Sequence, residues 1–200
     1  MILKDDSLSI YNDKIITASG DEVMMDWETP IMISMAEEVC RFGGDILEVG
    51  FGMGISANEI QKNKIKSHTI IEINSGIYNT AKEWSLDKKN VNLINDDFLN
   101  YLNYTNDKFD GIFFDPYPSE ILGVGDDHNI YGKLFFDGLK KLCNENCRVV
   151  PFLPACNKNL DYLIDYVPLK SIERYNIDLQ STVRTQYFTG NKASVFVFNI

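Results

Sequence analysis

The chain has 200 residues, 44% of them hydrophobic and 24% charged, with a formal net charge of −10. That size and balance fit one soluble domain with a sizeable core. The acidity argues against a nucleic-acid partner, because phosphate binding needs a basic footprint, and it suits a cationic substrate.

Residues 1–22 are polar, with scattered apolar anchors at Leu8, Ile10, Tyr11, Ile15 and Ile16 and no strong period. They read as a disordered tail or as an arm that folds over a ligand like a lid, ahead of a single domain over 23–200. Next comes Val23-Met24-Met25-Asp26-Trp27-Glu28-Thr29-Pro30. Thr29 suits an N-cap and Pro30 the first helical position. Met32, Met35, Ala36, Val39 and Cys40 follow at helical spacing, which predicts an amphipathic helix over 30–41, ended by Gly43-Gly44. Glu28 stands just before it. A helix dipole favours a carboxylate there. Trp27 and two methionines nonetheless give Glu28 an apolar setting, where a bare carboxylate is costly without a cationic partner.

From Asp45 strand and helix alternate, which implies a mostly parallel sheet with helices on both faces. The first strand is 45–49 and its helix about 54–63. Between them lies Gly50-Phe51-Gly52-Met53-Gly54-Ile55-Ser56. The glycines let the backbone turn sharply and pass close to a ligand. The helix start offers N–H groups to an anion. Dinucleotide folds use G-x-G-x-x-G, and here the third glycine comes one position early. Glu48-x-Gly50-x-Gly52-x-Gly54 resembles motif I of class I S-adenosylmethionine (SAM) methyltransferases instead. The plainer alternative is a tight strand–helix turn with no ligand.

The second strand, 68–73, carries Glu72, 22 residues after Gly50 (72 − 50). An acidic residue there is placed to accept hydrogen bonds from ribose hydroxyls; otherwise it is a solvated strand-end carboxylate. A helix over about 75–85 and a strand over about 91–94 follow. Asp97 and Phe98 then stand at a strand end, either to hold an adenine or as an N-cap and a core Phe. The fourth strand, 109–114, ends in Asp115-Pro116-Tyr117-Pro118. Ligands of open α/β sheets bind beyond the carboxyl ends of the strands. Two prolines fix the backbone around Asp115 and Tyr117.

Residues 119–129 read as a mobile loop rich in Gly and Asp, with His128 at its end as a cap or exposed side chain. A helix over about 130–142 and a strand over about 148–153 lead to Pro154-Ala155-Cys156-Asn157, again at a ligand-facing strand end. Two closing strands, about 183–188 and 194–199, flank Thr189-Gly190-Asn191-Lys192. The expected fold is a Rossmann-like, seven-stranded, mostly parallel sheet with a C-terminal antiparallel hairpin.

The four cysteines form no C-x-x-C pair and only two histidines occur, so no metal site is expected. Free thiols suit a reducing compartment. The first residues turn acidic at once, and no apolar run is long enough to span a membrane. The expectation is a cytoplasmic enzyme without a membrane or nucleic-acid partner.

Taken together, the segments 23–30, 47–53, 70–72 and 109–118 resemble guanidinoacetate N-methyltransferase, and related small arginine N-methyltransferases share much of the pattern. The most specific pieces are Trp27-Glu28-Thr29-Pro30 and Phe109-Asp110-Gly111-Ile112 with Asp115, Tyr117 and Pro118. The resemblance implies that Glu28 and Asp115 hold the substrate guanidinium. It implies that Met24 and Met32 line the SAM pocket and that Glu48 to Gly54 hold the methionine moiety, with Ile55 and Ser56 also at the cofactor. Glu72, with Ile73 beside it, would take the ribose and Asp97-Phe98 the adenine. Tyr117 and the backbone at Ala155 would complete the substrate side. Three departures fall there: Pro154 has no N–H, Pro116 replaces a threonine, and Cys143-Asn144-Glu145-Asn146 replaces a Lys-Pro-Gly-Gly turn.

The chemistry needs two carboxylates. A guanidinium is protonated at neutral pH and is a poor nucleophile. Paired hydrogen bonds to carboxylates draw its charge toward the bound nitrogens and leave another more nucleophilic. Asp115 is the expected base and Glu28 the clamp. The expected acceptor is a small guanidine such as guanidinoacetate or free arginine, the product S-adenosylhomocysteine, and the protein a monomer or homodimer. The alternatives are a protein arginine methyltransferase, a methyltransferase for another small amine, and a SAM-binding module without turnover. Asp-Pro-Tyr-Pro also resembles the Asp-Pro-Pro-Tyr of adenine N6 methyltransferases, with Pro and Tyr exchanged.

Overall fold

The computed structural model describes residues 6–117, 137–153 and 169–200. Inside a seven-stranded sheet, third from one edge, lies β4 (Asp45–Val49), whose Ile46, Leu47, Glu48 and Val49 are all buried. Its neighbours are β5 (Ser67–Ile71) and β7 (Phe109–Phe114), both parallel to it. β6 (Val91–Ile94) extends one side in parallel, and β8 (Cys143–Pro151) extends the other. β10 (Thr189–Asn199) runs antiparallel between β8 and the edge strand β9 (Ser171–Arg184). The order is β6-β5-β4-β7-β8-β10-β9. Chain order reverses between β4 and β7, the crevice where open α/β sheets bind ligands.

Side chains of successive strand residues point to opposite faces, and this sorts the core. Ile46, Ile70, Phe113 and Val150 pack with α1 (Thr29–Val39), α2 (Ile55–Ile60) and α3 (Ser75–Trp84). Leu47, Ile71, Ile112, Phe114 and Val149 pack with Phe98 and Tyr101 of α4 (Phe98–Tyr104) and with Leu139 and Leu142 of the helical residues 137–142. Coverage on both faces is why the central strands are continuous apolar runs.

α2 ends three residues (63 − 60) and β5 two residues (73 − 71) before the expected 63 and 73, and the larger departures fall at four places. Residues 8–25 are not a disordered tail: they form a three-stranded antiparallel sheet, β1 (Leu8–Ile10), β2 (Lys14–Thr17) and β3 (Glu22–Met25). Ile15 anchors it in the main core with no exposed surface. Thr29 is not an N-cap: a 3₁₀ turn over Asp26–Glu28 carries the helical conformation upstream, and the Thr29 hydroxyl donates to Asp26 O at 2.6 Å. β8 starts at Cys143, five residues before the expected start (148 − 143). The closing hairpin is also longer, with its turn at 185–188 instead of 189–192. β9 hid from the pattern because it is an edge strand with one apolar face, Tyr175, Ile177 and Leu179.

The expectations for residues 118–136, including Pro118 and His128, and for 154–168, including Pro154, Ala155 and Cys156, lie outside the described residues. Among the described residues, no helix is long and apolar enough to cross a membrane.

Candidate active site

The end of β4 turns at Gly50, whose N–H donates to Ile71 O at 2.9 Å. Its φ is +89°, and a Cβ there would stand 2.4 Å from Asp115 O. Asp115 N–H in turn donates to Val49 O at 3.0 Å. The ends of β4 and β7 are therefore joined so closely that only glycine fits. At Gly52, with φ +53°, a Cβ would meet Met24 Sδ at 2.4 Å, so the methionine side chain would have to move. That sulfur also accepts the Met53 N–H at 3.1 Å. Met24 thus lies against the glycine turn, and Met32 is fully buried in the same core cluster as Met24 and Phe51, which Ile55 packs against.

Glu72 sits beside the same turn and is 5% exposed. Its Oε2 accepts Phe51 N–H at 2.9 Å and its Oε1 accepts Asn74 N–H at 2.8 Å. Burial raises its pKa, and backbone donors at Phe51, Asn74 and Gly52 pull it back down. A carboxylate offers about four lone-pair sites, so capacity remains for a further donor such as a ribose hydroxyl. Asn95 Nδ2 donates to Glu72 O at 2.8 Å and Ile73 O at 3.1 Å, tying the end of β6 to this corner. Asp97 caps α4, accepting from Leu99 N–H at 2.7 Å and Asn100 N–H at 3.3 Å. Phe98 packs edge-on against Phe114 with centroids 5.1 Å apart. Asp97 is thus an N-cap, and Phe98 belongs to the core.

Glu48 is fully buried under the turn. It accepts the Ser56 hydroxyl, and its Oε2 stands 2.9 Å from His68 Nε2 without aligning into a hydrogen bond. His68, absent from the expected site, is itself fully buried, with Gln61 Nε2 at 3.2 Å from Nδ1. A lone His inside an apolar strand was the available signal.

The two remaining carboxylates face each other electrostatically. Asp115, half-buried, has its pKa pushed up to about 7 by burial and then by Glu48. Glu28, 2% exposed, is pushed up to about 8, first by burial and then by Asp115. Glu28 Oε1 accepts Met25 N–H at 2.7 Å and the Tyr187 hydroxyl at 2.5 Å. Among the described residues, no lysine, arginine or histidine pairs with either carboxylate. Two anions in a low-dielectric pocket are costly unless protonated or given a cation. Trp27 stacks on Phe188 at 4.9 Å and lies 6.0 Å from Tyr187, forming an aromatic wall beside Glu28. Its Nε1 is buried and has no hydrogen-bond partner among the described residues. Tyr117 follows two residues after Asp115 and is half-buried.

A glycine cradle without room for a β-carbon, a strand-end carboxylate with acceptor capacity and a methionine sulfur against the turn fit a nucleoside-bearing cofactor such as SAM. Residues 6–158 match the family model for guanidinoacetate N-methyltransferase. The chain belongs to the guanidinoacetate N-methyltransferase family. Protein arginine N-methyltransferase 2 of Kluyveromyces lactis is 29% identical over 208 residues, covering 93% of this chain and 51% of that protein. Its namesake in Saccharomyces cerevisiae is 29% identical over 210 residues, covering 92% and 49%. The chain thus spans about half the length of these curated relatives. The N-methyltransferase NodS from Bradyrhizobium japonicum superposes with a TM-score of 0.60 at 13% identity, over 86% of this chain and 96% of that one, a likeness of fold.

The shifted carboxyl group of Glu28 has a consequence for stability. Between pH 4.5 and about 8 the folded chain holds a proton that the unfolded chain has released. Stability of the ligand-free protein therefore falls as pH rises through that window. Glu28→Gln should flatten the slope, leaving the share due to Asp115. Urea unfolding at several pH values reads it, and an unchanged slope in the variant would contradict the burial of an unpaired carboxyl group.

Proposed function

We propose that the protein transfers a methyl group to a guanidino nitrogen of an arginine, with an arginyl residue of a protein as the favoured acceptor. One observation carries the guanidino part: Asp115 lies close enough to the buried Glu28 to raise its pKa, and neither carboxyl group has a basic partner among the described residues. A guanidinium brings the missing positive charge and a planar fork of donors. SAM supplies an electrophilic methyl group. Glu28 binds and orients the guanidinium, and Asp115 accepts the proton that the methylated nitrogen loses. Much of the rate gain comes from holding the acceptor nitrogen in line. The stretch Glu48 through Ser56, Glu72 and Met24 are the residues we assign to the cofactor, with Met32, Ile73, Asp97 and Phe98 at its margins.

The arginyl reading replaces the small-molecule acceptor expected from the sequence, because relatives matching more than nine-tenths of the chain carry the name protein arginine N-methyltransferase 2. A free guanidine remains the second reading. It is favoured by the family model and by the enclosure of Glu28 behind Trp27, Tyr187 and Phe188. We take the acceptor as the protein's partner, with no nucleic acid or membrane involved, and the active form as a monomer or homodimer.

A methyl-transfer screen by mass spectrometry separates these. Purified protein and SAM would be offered an arginine peptide, free arginine, guanidinoacetate, agmatine and 4-guanidinobutyrate. One added methyl mass on the peptide supports the arginyl reading. Transfer to a free guanidine alone moves the protein to the small-molecule branch. No transfer to any guanidine, with SAM bound, overturns the guanidino assignment.

A further inference from the structure

We infer that Tyr187, at the tip of the C-terminal hairpin, is a positioning residue that fixes which oxygen of Glu28 meets the acceptor. This rests on the guanidino reading of the site. Glu28 Oε1 receives two donors, Met25 N–H at 2.7 Å and Tyr187 Oη–H at 2.5 Å. A carboxylate oxygen has two lone pairs in its plane, so Oε1 is filled. Only Oε2 is left for the guanidinium. Glu28 therefore presents one oriented oxygen instead of a fork, and the phenol decides that orientation.

The tip is built to hold that phenol still. Thr185 N–H donates to Phe188 O at 2.9 Å, and Phe188 N–H donates to Thr185 Oγ1 at 3.1 Å, closing a tight turn around Tyr187. Gln186 and Glu22 then exchange bonds: Gln186 N–H to Glu22 Oε2 at 2.8 Å, Glu22 N–H to Gln186 Oε1 at 3.0 Å. Gln186 Nε2 adds a donor to Gly20 O at 3.3 Å. Phe188 stacks on Trp27, the residue before Glu28. Three sets of contacts thus lock the tip to β3 and to the 3₁₀ turn that carries Glu28.

The phenol also bears on the charge state of its partner, opposing burial, which is the largest influence and raises the Glu28 pKa. The groups acting on Glu28 are Asp115 from the end of β7, Glu22 from β3, Tyr187 from the hairpin and the Met25 N–H. The two acids raise its pKa and the two donors lower it. Tyr187 remains a donor, because burial and then Glu28 push its own pKa well above the usual phenol range. Removing the hydroxyl frees a lone pair on Oε1, lets the carboxyl group rotate and raises the Glu28 pKa.

Tyr187→Phe keeps the ring against Trp27 and deletes only the hydroxyl. Two readouts test it. A ¹³C-carboxyl NMR titration of Glu28 without substrate should show its midpoint raised by about one pH unit in the variant. With the acceptor that the wild type methylates, kcat/KM should fall by roughly 10- to 100-fold, its rise with pH displaced upward, while SAM affinity stays within about twofold. An unmoved NMR midpoint, in a variant whose thermal midpoint matches the wild type, overturns the positioning role. So does an unchanged pH profile of kcat/KM. A raised midpoint in a protein that methylates no guanidine leaves the Tyr187–Glu28 unit standing and overturns the guanidino reading instead.

Discussion

Asp115→Asn is expected to lower turnover on a guanidino acceptor by roughly 10²- to 10⁴-fold, with SAM still bound. The side chain keeps its shape but can neither take up the acceptor's proton nor counter its charge. The backbone contribution survives, because Asp115 N–H to Val49 O and the approach of Asp115 O to Gly50 do not involve the carboxyl group. Single-turnover rates with saturating SAM read the effect. A near-native rate with SAM bound would remove Asp115 from the proton transfer. The direction of the pH dependence adds a second check. The free enzyme must lose protons from groups near 7 and near 8 before both carboxylates are charged. For the wild type, kcat/KM should therefore rise from pH 6 to about pH 8. In Asp115→Asn the lower of these two ionisations should vanish.

Gly50→Ala is the second large effect, and it acts on the cofactor side. A side chain at φ +89° costs about 1–2 kcal/mol in backbone strain. Its Cβ would also stand 2.4 Å from Asp115 O, a backbone atom that moves only if β4 and β7 part at their ends. The thermal midpoint should fall by at least about 4 °C and SAM affinity by more than about tenfold. Calorimetry and equilibrium SAM binding measure the two. A variant unchanged in both would mean that the junction of the two strands has slack that the geometry denies.

The sheet was readable where strands are buried on both faces. β6 and β7 fall at the expected residues, because each is an apolar run too short for a helix and bounded by helical segments. The first four parallel strands and their order in the chain defined the fold. The edge strand β9 was not readable over most of its length, since one exposed face dilutes its pattern with Glu173, Arg174, Asn176 and Asp178. At the site, Glu28 and Asp115 stood out as carboxylates in apolar or rigid settings. The glycine spacing separated a methyltransferase turn from a dinucleotide one. What the residues could not disclose is pairing across distance. Asp115 meets Gly50 because β7 lies beside β4, and Tyr187 meets Glu28 across 159 positions. Reading 183–188 as strand placed Tyr187 in a ladder, when it sits in a turn. The preference for an arginyl acceptor in the proposal rests on the names of the relatives, which no local pattern holds.

The clip between Glu22 and Gln186 spans 164 positions, and it gives the two halves of the site different histories during synthesis. The cofactor cradle draws its parts from residues 24 to 115, so it can close as soon as β7 joins β4. The aromatic wall beside Glu28 needs the hairpin tip, which is synthesised well after β7. Contacts of such separation carry a high entropic cost and form late. A nascent chain would therefore complete the glycine turn that we assign to the methyl donor before it completes the wall beside Glu28.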